Sequence, residues 1–299
     1  MVIRWSWFTL LNYFFLGLFA FCTLYPFIYI AAYSLNEGID AMQGGIHFWP
    51  RKFTLENYRE IFKDTALLNA YKITLLRTVI GTLLHVSLCM LAAYALSRRK
   101  LPGRNFFTFF IFIPSIFNAG FIPLFIVLQK LGLFNTFWVY ILPFLFNFFH
   151  IIIMRTFLEQ LPEEMIESAK IDGYGDLRIF LRIIVPLSGP VLAVVSIFIG
   201  VFHWNDWFTG SYFVSNKDLI PVQTLLQNLL TQSEAFLNAT RNNTNSGGGT
   251  TEMSMQLLRT TPESLRMAIL VTATLPILCI YPFFQKHFVK GAMLGSIKG

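Results

Sequence analysis

The sequence predicts an all-α integral membrane protein with six transmembrane helices. Of the 299 residues, 55% are hydrophobic and only 13% are charged, and the mean hydropathy is +0.57. A soluble domain carries about 25% charged residues, so this chain lacks the polar side chains that a soluble surface needs. Six apolar runs reach or approach the roughly 20 residues that cross a bilayer as a helix. They are residues 8–35, 73–96, 106–128, 134–154, 187–214 and 265–284.

The first run, 8–35, is either a secretory signal peptide or a membrane anchor. Its apolar stretch exceeds the roughly 7–15 residues of a signal peptide's apolar core, and it lacks a clear small-x-small cleavage site. We therefore interpret it as an anchor. Prolines inside the runs predict kinked helices whose freed carbonyls are satisfied by neighbouring helices. These prolines are Pro26, Pro114, Pro123, Pro143 and Pro276.

Charges in the short loops predict the orientation, because Lys and Arg concentrate in cytoplasmic loops. The link 97–105 contains SRRKLPGR with four basic residues, whereas the link after the third run offers only Lys130. This difference places 97–105, both termini and 163–186 in the cytoplasm. The net charge of +7 is thus a topology signal, not a sign of nucleic-acid binding. Five basic residues in the external loop 36–72 oppose the assignment, but five acids offset them and long loops translocate largely regardless of charge.

The first external loop contains the stretch FTLENYREIF. Thr54 can cap a helix there, with Asn57 at the capping-box position. Apolar side chains recur at i, i+3, i+6 and i+7 and predict a short amphipathic helix on the outer surface. They are Leu55, Tyr58, Ile61 and Phe62. The second external loop includes NATRNNTNSGGGTTE, a polar low-complexity run.

The chain shows no assembled catalytic or metal-binding motif. Its three cysteines lie in separate apolar runs without metal-ligand spacing, so no metal site is predicted. An integral membrane transferase would need converging His, Asp or Glu groups, but the five histidines are scattered. An ion-coupled secondary transporter would bury carboxylates in its spans, and Asp206 alone lies in an apolar run. Both classes remain alternatives that co-purification with an ATPase subunit would separate.

A compact charged segment, residues 155–190, separates the fourth and fifth runs and holds six of the sixteen acids. Pro162 suits the first helical position and Gly173 can take the left-handed conformation that ends a helix, so 162–172 is predicted to be one short helix. This helix is expected to expose a surface of small residues that a groove on another protein can hold. The surface consists of Ser168, Ala169 and Gly173.

A second short helix is predicted after the turn GYG. Asp176 can cap it, and Pro186 either ends it or passes it into the fifth run. Its apolar face recurs at i, i+3, i+4 and i+7. That face consists of Leu177, Phe180, Leu181 and Ile184.

The charged segment resembles the cytoplasmic signature of permease subunits of binding-protein-dependent ABC importers. That signature is Glu-Ala-Ala, three residues, Gly, nine residues, then Ile-x-Leu-Pro. The chain keeps both spacings, with Glu167-Ser168-Ala169, Gly173 and Ile183-Ile184-Val185-Pro186, and departs at Ser168, Tyr174 and Val185. The stretches FTLENYREIF, LLRTVIGT, AAYALSRRKLPGR and FVKGAMLGSIKG are similar to the second permease subunit of the maltose-type carbohydrate branch. The resemblance therefore covers most of the chain.

The resemblance implies the type I ABC importer permease fold with a cytoplasmic coupling helix. It implies an N-terminal helix and external segment over 1–72, a permease domain over 73–286 and a cytoplasmic tail over 287–299. The domain would include the coupling loop 157–190 and the external loop 215–262. The residues implied in ATPase coupling are Glu167, Ser168, Ala169, Asp172, Gly173 and Pro186.

The same resemblance implies the chain's partners and location. It implies a homologous partner permease, two cytoplasmic ABC ATPase subunits, an external solute-binding protein, a sugar or oligosaccharide substrate and surrounding membrane lipid, but no nucleic acid. ATP and Mg would belong to the ATPase subunits, with no cofactor on this chain. The tail GAMLGSIKG has its glycines and lysine at the wrong spacing for a phosphate-binding loop. The implied location is the bacterial cytoplasmic membrane.

The stretch HWNDWF supplies aromatic faces and hydrogen-bonding side chains, the chemistry that a sugar requires. We predict a substrate path lined by six residues. They are Asn118, Asn147, His203, Trp204, Asn205 and Trp207. The tryptophans have an alternative role in an interfacial aromatic belt. Four polar residues inside the apolar runs have an alternative role in interhelical hydrogen bonds. They are Asn118, Asn147, His85 and His150.

Overall fold

The computed structural model describes residues 7–63, 65–117, 119–231, 261 and 263–279. Within these residues the fold is all-helical as predicted, with one isolated bridge between Asn36 and Phe53 and no strands. The helices are α1 (Trp7–Ser34), α2 (Gly38–Met42), α3 (Glu56–Lys63), α4 (Thr65–Ser97), α5 (Arg104–Ile116), α6 (Phe121–Lys130), α7 (Phe148–Leu158), α8 (Glu163–Ile171), α9 (Asp176–Leu187), α10 (Gly189–Asn205), α11 (Phe208–Phe213), α12 (222–231) and α13 (263–279).

The first two predicted runs form single helices. Both α1 and α4 are long and apolar enough to cross a membrane, with 28 and 33 residues. The sixth run is helical over 263–279, and its remainder, 280–284, lies outside the described residues. The tail 287–299 and the low-complexity run also lie outside them.

The third, fourth and fifth runs are each interrupted by a bend or a break. For the third and fourth runs this agrees with the kinked helices that their prolines predict, whereas no kink is predicted for the fifth. The third consists of α5 and α6, which are bent by 115°. In the fourth run, two 3₁₀ turns at 137–144 meet α7 at an angle of 52°. At the start of the fifth run, α9 meets α10 at an angle of 80°. Counting each bent pair as one span gives up to five spans in the described part of the chain. Pro143 lies within the second 3₁₀ turn, where it cannot donate a helical hydrogen bond.

The chain divides into two compact units, Met1–Leu68 with Leu225–Pro276 and Asn69–Thr224 with Ile277–Gly299. In the described part of the first unit, a small core forms where α1 ends. Its buried members are Ala32, Tyr33, Ala41 and Ile46. The second unit contains two larger cores, one around α4, α7, α8 and α9 and another around Tyr140 and Phe213.

Asn57 connects three segments of the first unit. Its Nδ2 donates to the carbonyl oxygens of Ser34 at 2.8 Å and Asn36 at 3.0 Å, and its Oδ1 accepts from Ser264 Oγ at 2.9 Å. The side chain is completely buried, so it is a tertiary contact and not a member of a capping box. Thr54 Oγ1 does accept from the Glu56 N–H at 3.1 Å, as predicted for a cap.

The predicted apolar face of α3 is only partly correct. Ile61 is buried, but Leu55 and Phe62 are exposed because the buried Asn57 takes part of the inward face. Beside this helix, Asp40 accepts from Asn36 Nδ2 at 2.9 Å and from Arg51 Nε at 3.1 Å. The Asn36 amide and then the Arg51 guanidinium hold the pKa of Asp40 below its ordinary value. The loop predicted to be external is therefore structured over its described residues.

Asn57→Ala is expected to destabilise the first unit by about 3 kcal/mol, because each buried polar group left unpaired costs about 1–3 kcal/mol. The measurement is the thermal unfolding midpoint of the detergent-solubilised protein. The control is Glu60→Ala, since the Glu60–Lys63 ion pair is exposed and such pairs contribute less than about 1 kcal/mol. Equal midpoints for the two variants would contradict the assigned role of Asn57.

Candidate functional site

The first helix of the charged segment, α8, ends at Gly173 as the sequence predicts. Gly173 has φ +79°, the left-handed conformation. Its N–H donates to the Lys170 carbonyl at 3.0 Å, and the Tyr174 N–H donates to the Ala169 carbonyl at 2.9 Å. This pair of bonds is the Schellman motif, which satisfies carbonyls that the helix end would otherwise leave unpaired. Pro162 lies immediately before α8 and not at its first position.

Most of the predicted coupling residues lie on the surface. The exposed ones are Glu167, Ser168, Asp172, Gly173 and Pro186. Ala169 is buried, in the core cluster that also contains Ile179 and Phe180. The expectation that Ala169 is exposed is therefore wrong, because it is the side chain by which α8 packs into the core.

The second helix of the charged segment, α9, differs from the prediction at its start and on its apolar face. Gly175 precedes the helix and Asp176 is its first residue, so Asp176 is not the cap. Its carboxylate instead lies 3.4 Å from Lys170 Nζ. A π-helical turn over Phe180–Ile184 shifts the register, so the buried side chains are Ile179, Phe180 and Ile184, while Leu177 and Leu181 are exposed.

Ion pairs and ring contacts attach the charged segment to the long helices. Glu159 accepts from Arg104 and, at 3.0 Å, from Arg155 Nε. Arg104 Nε also donates to the Leu96 carbonyl at 2.8 Å, at the end of α4. The Phe180 ring centroid lies 5.2 Å from that of Tyr94 on α4. The segment is therefore joined to α4, α5 and α7 at several points.

The fifth run is interrupted at residues 206–207, between α10 and α11, and Arg77 of α4 holds this break. The Arg77 side chain is completely buried. Its Nη2 donates to the Asp206 carbonyl at 2.5 Å and lies 3.5 Å from the Trp204 carbonyl. Its Nη1 lies 3.5 Å from Asp206 Oδ2, and its Cζ lies 5.1 Å from the Tyr140 ring centroid. One guanidinium thus supplies donors to the carbonyls that the break releases.

Asp206, which lies within the break, also contacts the first turn of α11. Its Oδ1 accepts from the Thr209 N–H at 3.1 Å, in the first turn of α11. Thr224 Oγ1 donates to the Trp207 carbonyl at 2.9 Å. Because irregular backbone at membrane depth requires such partners, the break is a built feature of the fold.

Close packing of α4 against α10 sets the position of the break. A Cβ added at Gly81 would lie only 2.5 Å from His203 Nε2. One turn closer to the start of α10, a Cβ at Gly200 would lie 3.5 Å from Thr82 Oγ1. Small residues let membrane helices approach each other, and here they bring Arg77 to the end of α10.

Histidines support the irregular part of the fourth run. His85 Nδ1 is hydrogen-bonded to the Phe144 carbonyl at 2.6 Å, and His85 Nε2 to His150 Nδ1 at 2.8 Å. Asn147 Oδ1 accepts from the Phe149 N–H at 2.9 Å and caps α7. These contacts are interhelical and capping bonds, the alternative role considered for His85, His150 and Asn147.

The predicted path residues lie in different surroundings in this structure. Asn205 and Trp207 are exposed at the break, whereas His203 and Trp204 are buried in the packing around it. Asn118 lies outside the described residues. Among those residues, no group of three or more His, Cys, Asp or Glu side chains is arranged to hold a metal ion.

The sequence prediction missed Arg77 and its partner Tyr140. A signal for Arg77 was present, because a charged side chain inside an apolar run marks a functional or paired position. Tyr140 gave none, since aromatic residues are frequent throughout the chain. Its hydroxyl donates to the Leu219 carbonyl at 2.9 Å, a contact between distant parts of the chain.

The chain is similar in sequence and in fold to known transport proteins. Residues 85–293 match the family model of the binding-protein-dependent transport system inner membrane component. Protein LplC of Bacillus subtilis (strain 168) is 36% identical over 98% of this chain and 95% of its own length. The polygalacturonan/rhamnogalacturonan transport system permease protein YtcP of the same organism is 37% identical, over 98% of both chains. A solved bacterial ABC transporter involved in the import of the acidic polysaccharide alginate superposes with a TM-score of 0.84 at 29% identity, covering 96% of this chain and 100% of that one.

Proposed function

The chain belongs to the family of binding-protein-dependent transport system inner membrane components, and from this membership we propose that it is the membrane-spanning subunit of an ABC importer for an oligosaccharide. The observation that carries the proposal is the 37% identity, over 98% of both chains, to a permease named for polygalacturonan and rhamnogalacturonan transport. A membrane transferase or an ion-coupled secondary transporter finds no support in this membership.

We propose that the substrate contains uronate units. Polygalacturonan carries a carboxylate on each galacturonate, and the structural relative imports alginate, which is described as acidic. Other relatives, at 27% and 30% identity, are named for arabinooligosaccharides and galactooligosaccharides. The more similar named permease thus favours an acidic saccharide.

The proposed assembly contains a homologous partner permease, two ATPase subunits that bind ATP and Mg, and an external solute-binding protein. We assign α8 as the coupling helix that an ATPase subunit holds. The exposed Glu167 and Ser168 of α8 and the exposed Gly173 that follows it support this assignment, as does the attachment of the charged segment to α5 through Glu159 and Arg104. Ala169 has an internal role in this assignment, since it joins α8 to the core.

We further propose six spans with both termini in the cytoplasm of a bacterial cell. The permease domain is assigned to 73–286, after an N-terminal part over 1–72 and before a tail over 287–299. The coupling loop 157–190 lies inside and the loop 215–262 outside. The four basic residues in 97–105 support this orientation.

The functional test is uptake by proteoliposomes that contain the complete transporter, isolated with its partner subunits and binding protein. We expect uptake of trigalacturonate that requires ATP. Maltotriose is the neutral comparison. Import of maltotriose alone would overturn the uronate assignment, and import of neither saccharide would overturn the oligosaccharide assignment.

The orientation is tested with single cysteines at two exposed positions, Asn105 and Gln43, after replacement of Cys22, Cys89 and Cys279. A membrane-impermeant thiol reagent should label Gln43→Cys in intact spheroplasts and Asn105→Cys only after permeabilisation. Neither substitution changes the charge of a loop, so the orientation signal is preserved. Labelling of both positions from the same side would contradict the six-span topology.

A further inference from the structure

Four aromatic rings form a partly exposed surface beside the break, which we call the aromatic shelf. Its members are Phe121, Trp207, Phe208 and Tyr212. The Phe208 and Tyr212 centroids are 4.6 Å apart, and Phe121 stands edge-on to both, at 5.7 and 5.3 Å. Trp207 extends the surface, with its ring 6.0 Å from Phe208. Each of these four residues retains 39–49% of its accessible surface, so the shelf is not part of the packed core.

The core behind the shelf fixes its shape. Phe213 is on the same short helix, α11, but is buried, and its ring lies 5.6 Å from that of Phe121. Gly210 leaves no room for a larger side chain against Pro221 and Thr224. The exposed rings are therefore held by a rigid support, which reduces the entropy lost when a ligand binds.

Three polar groups at the shelf lack a hydrogen-bond partner within the described part of the chain. They are the amide of Asn205, the indole N–H of Trp207 and the hydroxyl of Tyr212. All three residues are exposed. Rings with an apolar face and a nearby donor or acceptor suit a ligand that offers C–H faces and a rim of hydroxyls.

Lipid is the alternative occupant of an aromatic surface in a membrane protein. The break argues against it, because irregular backbone is not exposed to hydrocarbon and occurs where protein or a water-filled cavity covers it. The shelf includes Trp207 of the break itself, and α11 has only six residues, too few to cross a bilayer. The polar groups then favour a hydrated path over a dry subunit contact.

We propose that the aromatic shelf, together with Asn205, is a sugar-binding surface of the transport path, on which a pyranose ring of the substrate stacks against Phe208 and Tyr212. Asn205 and the Trp207 indole N–H hydrogen-bond the sugar's hydroxyls. This proposal rests on the proposed oligosaccharide import and assigns Phe121, Phe208 and Tyr212 to it as new contacts.

The test measures trigalacturonate uptake by the complete transporter with Phe208→Leu and Tyr212→Leu, which keep apolar bulk but remove the ring face. We expect the KM to rise about 3- to 10-fold, the effect of losing one aromatic contact, with little change in maximal rate. Phe208→Tyr, which keeps the ring, should restore the wild-type KM. The matched control is Phe110→Leu, an exposed aromatic of α5.

A second measurement separates substrate from other occupants. Asn205→Cys, in a protein lacking Cys22, Cys89 and Cys279, should react with a hydrophilic maleimide, and saturating trigalacturonate with binding protein should slow the reaction. A wild-type KM in both leucine variants would overturn the proposal. Leucine variants that no longer co-purify with the partner permease would also overturn it, because the shelf would then be a subunit contact. If the wild-type transporter imports no saccharide, the proposed function fails instead, which is a different result.

Discussion

Arg77→Met is expected to lower uptake by the complete transporter roughly 100-fold or more, because removing one partner of a buried ion pair costs about 3–5 kcal/mol. The variant leaves the Asp206 carboxylate without its cation and two carbonyls at the break without a donor. Arg77→Lys should retain part of the activity, since lysine keeps the charge but cannot present the planar fork of donors. The measurement is uptake at equal membrane abundance.

The double variant Arg77→Met with Asp206→Asn separates folding from positioning. Removing both charges leaves no uncompensated ion, so membrane abundance and thermal stability should recover. Uptake should not recover, because the Trp204 and Asp206 carbonyls still lack the donors that hold the break. Arg59→Met, at an exposed position of α3, is the control and should transport normally. Wild-type uptake in Arg77→Met would refute the role given to this side chain.

The long apolar runs were predictable because helix formation in a membrane depends mainly on length and hydropathy. Thus α1 and α4 begin and end within a few residues of the predicted runs, except that α4 starts at Thr65, eight residues before the run 73–96. The breaks in the other runs were not predictable from hydropathy. They depend on partners distant in sequence, such as His85 for the Phe144 carbonyl and Arg77 for the Asp206 carbonyl.

The charged segment shows the same division between local and tertiary information. The left-handed Gly173 follows from local chemistry, since glycine adopts this conformation without a steric penalty. The burial of Ala169 does not follow, because it depends on how α8 meets α9. The π-helical turn at Phe180–Ile184 likewise changes which side chains face inward. Regular helical spacing therefore predicts an apolar face that includes Leu177 and Leu181, but both are exposed.

The helices α9 and α10 connect the charged segment to the break at residues 206–207. The bend at Ser188, where Ser188 Oγ donates to the Ile184 carbonyl at 2.7 Å, connects α9 to α10. At about 1.5 Å per residue, the 17 residues of α10 extend roughly 25 Å from this bend to the break. In the proposed assembly, a displacement of α8 by an ATPase subunit is thus expected to reach Asn205 through α9 and α10.

Gly173→Arg is expected to reduce ATP-driven uptake at least about 10-fold while the permease stays in the membrane at normal abundance. A Cβ at Gly173 meets no atom of this chain within 4 Å, so the arginine projects outward, and the left-handed conformation costs only about 1–2 kcal/mol. Its effect should fall on the ATPase contact. The readouts are uptake, co-purification of the ATPase subunits and ATPase activity stimulated by loaded binding protein.

The matched control for this prediction is Gly132→Arg. Gly132 follows α6, has φ +67° and also has no atom within 4 Å of an added Cβ. The Leu133 N–H donates to the Leu128 carbonyl at 3.0 Å, as the Tyr174 N–H does to the Ala169 carbonyl. The two variants therefore impose the same backbone strain and the same side chain, and differ in which loop carries them. Loss of coupling in Gly173→Arg with normal transport in Gly132→Arg would assign the effect to the docking surface, whereas equal uptake in both would remove α8 from the coupling role.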